Sequence, residues 1–293
     1  MKRMRRIQLL GVLLAALIPI GAHANPGDLY ATDNTSIRIY APDGTASIFA
    51  SGLPRPRGLA FDGFGNLFVA TIDTSATLHD DKGQILKFAP DGTVTVFAAG
   101  AGLESPEGLA FDSVGNLYVT SIYFNRSIFY SPLSNAGEGR VTKITPSGER
   151  SVLNLDPTTY HENFGIAFDG QNNLFVADNL QGGIYKITPD RRISTFVSID
   201  EPIGLAFDGA GNLYASGTDS FDVQGSITKI APDGTQTLFV SGVGGLRGLA
   251  FDFAGNLFAA GHGNNVIYKI TPDGSVSIFA SGLNVPQFLA VEP

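Results

Sequence analysis

The chain has 293 residues, a formal net charge of −8 and no cysteine. The missing thiol excludes disulfides, thiol catalysis, a cysteine-linked lipid anchor and cysteine-ligated zinc or haem. The acidic balance repels phosphate backbones and excludes nucleic acid as an expected partner.

Residues 1–24 read as a secretory signal peptide. Lys2, Arg3, Arg5 and Arg6 precede an apolar run from Ile7 to Ile20, and Ala22-His23-Ala24 offers a small-x-small cleavage site. The run is short for a membrane span, so no stable membrane anchor is expected after cleavage. The expectation is an exported protein, periplasmic or extracellular, whose mature chain starts at Asn25. Processing removes four basic groups and no acidic one, which takes the net charge from −8 to −12.

The mature chain is built on a repeat. Gly58-Leu59-Ala60-Phe61-Asp62-Gly63-Phe64-Gly65-Asn66-Leu67-Phe68 returns at 108–118, 165–175, 204–214 and 248–258. A sixth copy is cut between the termini, with Phe288-Leu289-Ala290-Val291-Glu292 at one end and Gly27-Asp28-Leu29-Tyr30-Ala31 at the other. Leu-Ala-Phe predicts a short strand A. Asp-x-x-Gly-Asn predicts a tight turn, because the aspartate can cap the following amides and glycine takes a positive φ. Leu-Phe-Val-Ala predicts strand B. Strand C follows at Ile85-Leu86-Lys87-Phe88 and again at Val141, Ile184, Ile227, Ile267 and Ile37. Strand D ends in Phe97, Leu153, Phe196, Phe239, Phe279 or Phe49, after turns such as Pro90-Asp91-Gly92 and Pro272-Asp273-Gly274.

Four short strands per repeat make an antiparallel blade. Both faces of strand B are apolar, with Leu67 and Val69 on one and Phe68 and Ala70 on the other, so each blade needs a neighbour on each side. The prediction is one all-β domain over residues 25–293. It is a six-bladed β-propeller of four-stranded antiparallel blades, its ring closed by pairing Phe288–Val291 with Leu29–Ala31, which hides two sheet edges.

In such a meander the B–C and D–A connections share one face. The long connections, Thr71–Gln84, Ser121–Arg140, Asn154–Phe164 and Gly217–Gly225, all fall there, as expected of a scaffold that carries its site on loops. The position before the anchor glycine faces the channel mouth and holds Arg57, Glu107, Phe164, Ile203, Arg247 and Gln287. Strand B ends nearby at Asp33, Asp73, Asp178, Asp219 and His262. The ligand-binding candidates are Arg57, Glu107, Asp178, Asp219, Arg247, His262 and Gln287. Tyr123 and Arg126 join them from loop 121–140, where Phe124, Phe129 and Tyr130 also lie. These groups read either as a convergent pocket or as a solvated channel lining. The loop aromatics read either as a ligand wall or as a local mini-core. The weak acid–base candidates are Glu107, His161 and His262.

Other motifs are excluded. There is no HExxH and no Gly-x-Ser-x-Gly, and the Asp-rich turns lack the ligand series of a calcium loop. Lys87, Lys143, Lys186, Lys229 and Lys269 share one position on strand C and are spread around the ring, so they make no basic patch.

The series Pro-x-Gly-Leu-Ala-Phe-Asp-x-x-Gly-Asn-Leu-Tyr-Val-Ala, followed by Ile-x-Lys-Ile-x-Pro-Asp-Gly, resembles the NHL-repeat propellers. These are close to the gluconolactonase (senescence-marker-protein) group and the streptogramin (virginiamycin B) lyases. The resemblance covers residues 28–293. It implies the propeller fold and, for function, a lactonase, a lyase or a binding scaffold. From the gluconolactonase group it implies a divalent metal, calcium or magnesium, held largely at the position before the anchor glycine. Glu107 matches that pattern, and Arg57, Phe164, Ile203 and Arg247 depart from it. The lyases are typically seven-bladed, often with Trp in strand B and catalytic His and Glu on the loop face; this chain has no Trp and offers only His79, His161 and His262. The leading expectation is an exported scaffold that binds a small molecule, glycan or peptide on its loop-rich face. The alternatives are a metal-assisted lactonase or a streptogramin-lyase-like enzyme, and a protein-interaction platform.

Overall fold

The repeat folds because its turn satisfies itself. Asp62 Oδ1 accepts the backbone N–H groups of Phe64 and Asn66 at 2.9 Å each, and Oδ2 accepts Asn66 Nδ2 at 2.7 Å. Gly65 takes φ +76° between them. The same amide-to-carboxylate pair recurs at Asp112–Asn116, Asp169–Asn173, Asp208–Asn212 and Asp252–Asn256. The chain is seen in a computed structural model that describes residues 25–73, 82–122, 140–155, 161–218 and 224–293.

Six four-stranded antiparallel sheets result. Blade one is β1 (Leu29–Thr32), β2 (Ser36–Tyr40) and β3 (Ala46–Ser51), completed on its inner edge by β24 (Leu289–Val291). Blade two is β4 (Pro56–Phe61), β5 (Leu67–Asp73), β6 (Lys82–Phe88) and β7 (Val94–Glu104). Blade three is β8 (Pro106–Phe111), β9 (Leu117–Ser121), β10 (Arg140–Ile144) and β11 (Arg150–Asn154). Blade four is β12 (Asn163–Phe168), β13 (Leu174–Asp178), β14 (Gly183–Ile187) and β15 (Ile193–Ser198). Blade five is β16 (Pro202–Phe207), β17 (Leu213–Thr218), β18 (Gly225–Ile230) and β19 (Gln236–Val243). Blade six is β20 (Leu246–Phe251), β21 (Leu257–Gly261), β22 (Val266–Ile270) and β23 (Val276–Ser281).

The first strands of the blades line the axis and touch one another around the ring. Here the anchor glycine has its reason. A Cβ on Gly58 would lie 2.2 Å from the carbonyl oxygen of Glu107, and one on Gly108 would lie 2.3 Å from that of Phe164. Gly165 and Gly204 meet the next blade's backbone in the same way. Glycine is required because six inner strands converge on one axis. Below this level Leu59, Leu109, Ile166, Leu205, Leu249 and Leu289 narrow the channel to a space of about 80 Å³.

Alternate blades add a buried hydroxyl at the end of strand B. Thr32, Thr120 and Ser216 stand where the intervening blades carry Ala70, Ala177 and Ala260. Each hydroxyl accepts a backbone N–H from its own inner strand: Phe288 N to Thr32 Oγ1 at 3.1 Å, Gly108 N to Thr120 Oγ1 at 2.8 Å and Gly204 N to Ser216 Oγ at 2.9 Å. Each then donates to the carbonyl before the next blade's anchor glycine, that of Arg57, Phe164 or Arg247. The ring is therefore fastened at three of its six joints by the same polar bridge.

Between blades the packing is aromatic. The second residue of strand B meets a phenylalanine of its own strand D and one from the next blade's inner strand. Phe68 sits edge-on to Phe97 and Phe111, with ring centroids 5.0 and 4.9 Å apart. Tyr30, Phe175 and Tyr214 repeat the trio. The five repeat lysines lie over these strand-B rings, as Lys87 lies 5.5 Å from the centroid of Phe68. Antiparallel register puts each lysine directly opposite its ring, which explains the conserved spacing within the repeat. The hydrophobic core is accordingly six clusters, each shared by two neighbouring blades.

Closure is as the split repeat predicts. Leu29, Tyr30 and Ala31 pair with Val291, Ala290 and Leu289. One loop boundary moves. The Thr71–Gln84 connection is shorter than expected, because β5 runs on to Asp73 and pairs with β6 from Lys82. β7 likewise extends to Glu104. Within the long connections residues 74–81, 123–139, 156–160 and 219–223 lie outside the described residues, as do residues 1–24.

Candidate functional site

On the face of the B–C and D–A connections, above the aliphatic constriction, lies a cavity of about 390 Å³. Its floor is set by the position before each anchor glycine. Arg57, Glu107, Phe164, Arg247 and Gln287 line it, and Ile203 of the same ring does not. The carbonyls of Arg57, Phe164 and Arg247 are the ones held by the buried hydroxyls, so these three side chains leave a fixed backbone.

Arg57 Nε lies 3.6 Å from Glu107 Oε1. Glu107 is only 4% exposed, and its Oε2 is buried with no hydrogen-bond partner. Burial pushes its carboxyl above the ordinary 4.5, against the opposing pull of Arg57, Arg247 and Arg55. The Arg247 guanidinium stacks 5.9 Å from the Phe164 ring centroid. Gln287 is also buried. Its Nε2 donates to Val285 O at 3.1 Å, and its Oε1 has no hydrogen-bond partner.

His262 lines the same cavity from the end of β21. Asp33 lines it too, but its carboxylate is already engaged by Ser36, Thr35 and, at 3.2 Å, Arg38 Nε. Three guanidinium groups, from Arg55, Arg57 and Arg247, thus face one carboxylate not otherwise engaged, in a protein whose net charge is −8. The pocket is a positive focus in an acidic molecule.

The other sequence candidates lie elsewhere. Asp178 is fully buried and holds His161 Nδ1 on one oxygen and the backbone N–H groups of Glu162 and Gln181 on the other. His161 packs edge-on to Tyr185. Neither residue lines the cavity, so His161 stands apart from Glu107 and His262. Tyr123, Arg126, Asp219 and His79 lie outside the described residues, as do the other aromatics of loop 121–140.

Arg55, Ser105 and Val285 line the cavity and were not singled out from the sequence. They precede Pro56, Pro106 and Pro286 and take φ of 42°, 41° and 58°. The residue before proline is ordinarily extended, so these connections hold the chain in an unusual turn beside the mouth; Glu201, before Pro202, takes the same turn at φ 43° and does not line the cavity. For Arg55 and Ser105 the signal was present as the X-Pro-x-Gly spacing, two residues ahead of the ring position; Val285 stands in Val-Pro-Gln-Phe, which keeps only the proline.

The cavity's oxygen and nitrogen donors stand among arginines. The ring offers one carboxylate, Glu107, and one amide, Gln287, amid three guanidinium groups that would repel a cation. Among the described residues no group of three or more His, Asp or Glu is gathered for a metal.

No family model matches the chain, and no curated protein matches it in sequence. Solved structures match it in shape. A streptogramin B lyase superposes with a TM-score of 0.63 at 15% identity, over 94% of this chain and 90% of that one. Virginiamycin B lyase from Staphylococcus aureus gives a TM-score of 0.61 at 16% identity, over 94% and 95%. A putative gluconolactonase gives 0.60 at 14% identity, over 91% and 86%. The resemblance read from the repeat therefore holds at the level of the propeller fold.

Proposed function

We propose that the chain is an exported scaffold that binds a small hydroxylated anion in the cavity on its loop-rich face. One observation carries the reading. Three guanidinium groups and two buried acceptor atoms without partners, Glu107 Oε2 and Gln287 Oε1, converge on one space of about 390 Å³. A carboxylate or phosphate suits the forked guanidinium of Arg57 or Arg247. Ligand hydroxyls suit the two acceptors, and the Phe164 face suits a ring or an aliphatic stem. The test is a thermal-shift screen of hydroxy acids and acidic sugars against the mature protein. A hit should lose its effect in Arg57→Ala and Arg247→Ala and keep it in Lys87→Ala, which faces Phe68 far from the cavity. If a hit survives both arginine changes, the cavity is not its site.

A second reading is an enzyme of the lyase or lactonase kind at the same place. The raised carboxyl of Glu107 favours it, since a buried acid poised above its ordinary range suits proton transfer. Turnover of a streptogramin B or of a sugar lactone, abolished in Glu107→Gln, would establish it. The protein-platform reading is less favoured. Apart from Leu180, the large exposed apolar side chains among the described residues lie on the opposite turns, as Phe64, Val114 and Phe253, or on outer strands.

A further inference from the structure

The two halves of the split repeat meet in a turn that copies the other five in backbone and departs from them in charge. Glu292 N donates to Asp28 O, and Gly27 N donates to Glu292 O, each at 2.9 Å. Asp62 N to Asn66 O and Gly65 N to Asp62 O are the same two bonds in blade two. Glu292 therefore stands in the aspartate's place and Asp28 in the asparagine's. Where five turns pair a carboxylate with a donating amide, the closure sets one carboxylate beside another.

Among the described residues no basic side chain neutralises this pair: no lysine, arginine or histidine bridges to either acid. Glu292 Oε2 accepts the neutral phenol of Tyr30 at 3.0 Å. Burial, together with the negative charge of Asp28, raises the Glu292 carboxyl. Asp28 is 4% exposed, and its Oδ1 is buried with no hydrogen-bond partner. Its Oδ2 accepts the backbone nitrogen of Asn25 at 2.9 Å. That nitrogen is the first atom of the chain expected to remain after cleavage behind Ala24.

We propose that removal of residues 1–24 completes the charge pairing at the turn that closes the ring. Hydrolysis of the Ala24–Asn25 peptide bond adds water across it, leaving a carboxylate on Ala24 and an amine on Asn25. Protonated at neutral pH, that amine seats on Asp28 Oδ2 as the cation of the Asp28–Glu292 pair. Before cleavage the same nitrogen is a neutral amide. Processing thus converts a neutral hydrogen bond at the closing turn into a charge-assisted one, at the seam that holds β24 to β1. The inference rests on the signal-peptide reading and is independent of the ligand reading.

The test uses two forms of residues 25–293, one released from a fusion with Asn25 at its free amino terminus and one with Ser-Gly joined ahead of Asn25. Each is also made with Asp28→Asn. The free form should melt higher by about 1–3 °C, the effect of one partly exposed ion pair in a domain of this size. In Asp28→Asn the gap should vanish. In the extended form that change should raise the midpoint, because an amide can donate to Glu292 as Asn66 donates to Asp62. Equal midpoints for free and extended protein overturn the proposal, and so does a gap that persists in Asp28→Asn. N-terminal sequencing of the exported protein should read Asn25; any other first residue overturns the processing step.

Discussion

Thr120 Oγ1 donates to the carbonyl oxygen of Phe164 at 2.6 Å, joining strand B of one blade to the inner strand of the next. The same oxygen accepts Gly108 N at 2.8 Å, so one buried hydroxyl serves two backbone groups that have little access to water. Thr120→Val keeps the shape and removes both bonds. It should destabilise the fold by about 1–3 kcal/mol, the cost of leaving buried polar groups unpaired. The exposed Thr95→Val should cost far less. Urea midpoints compare the two, and equal shifts would deny the bridge its role.

Glu107 sets a pH dependence. Burial raises its carboxyl above 4.5 in the folded protein, so the native state keeps this proton to higher pH than the unfolded chain does. The stability it contributes is complete below 4.5 and is lost as pH rises through the native value. Glu162 and Glu292 are raised too and act in the same sense. Asp208 is lowered from 3.8 by its turn hydrogen bonds, and stability from it is lost as pH falls. The melting temperature should therefore peak on the acid side of neutrality. Glu107→Gln should flatten part of the decline toward neutral pH; a profile parallel to wild type counts against it.

Val285 is a β-branched residue at φ 58°, held by a 2.8 Å bond from its N–H to Asn265 Oδ1. Asparagine tolerates this region, whereas a branched side chain is strained there by about 1–2 kcal/mol. Val285→Asn should therefore raise the melting temperature while the backbone bond to Asn265 persists. A clear loss of stability would mean that the valine side chain contributes more by packing than it costs in strain.

Deleting residues 288–293 should collapse the cooperative transition. It removes β24, the inner strand of blade one, and opens cluster faces that Leu289 and Ala290 now cover. Removing an equal number of residues from within 123–139 should cost much less. Comparable melting curves for the two deletions would show that this strand does not hold the ring.

The blades were legible because their determinants are local. The Asp62-to-Asn66 turn carries its own hydrogen bonds, and the two-residue period of β5 states which faces are buried. The cut repeat stated how the ring closes, since half a blade at each terminus has one way to become whole. The cavity was partly legible. Six residues at one repeat position must approach one axis, and Arg57, Glu107, Arg247 and Gln287 do.

What remained depends on distances between separate segments and on backbone angles that run against local propensity. Whether Asp178 faces the cavity or is held by His161 is decided by where the residues just before β12 come to rest. That Arg55 joins the site follows from a backbone angle before Pro56, which propensity would have set otherwise. That Thr120 fastens Phe164, or that Asp28 faces Glu292, becomes visible only when the ring is closed. The sequence by itself determined the repeating unit, its number and its closure, because hydrogen bonds and burial within a blade act over a few residues. The tertiary structure alone decided the charge balance of the cavity and the joints between blades, because electrostatics and packing there depend on where six separate strands meet.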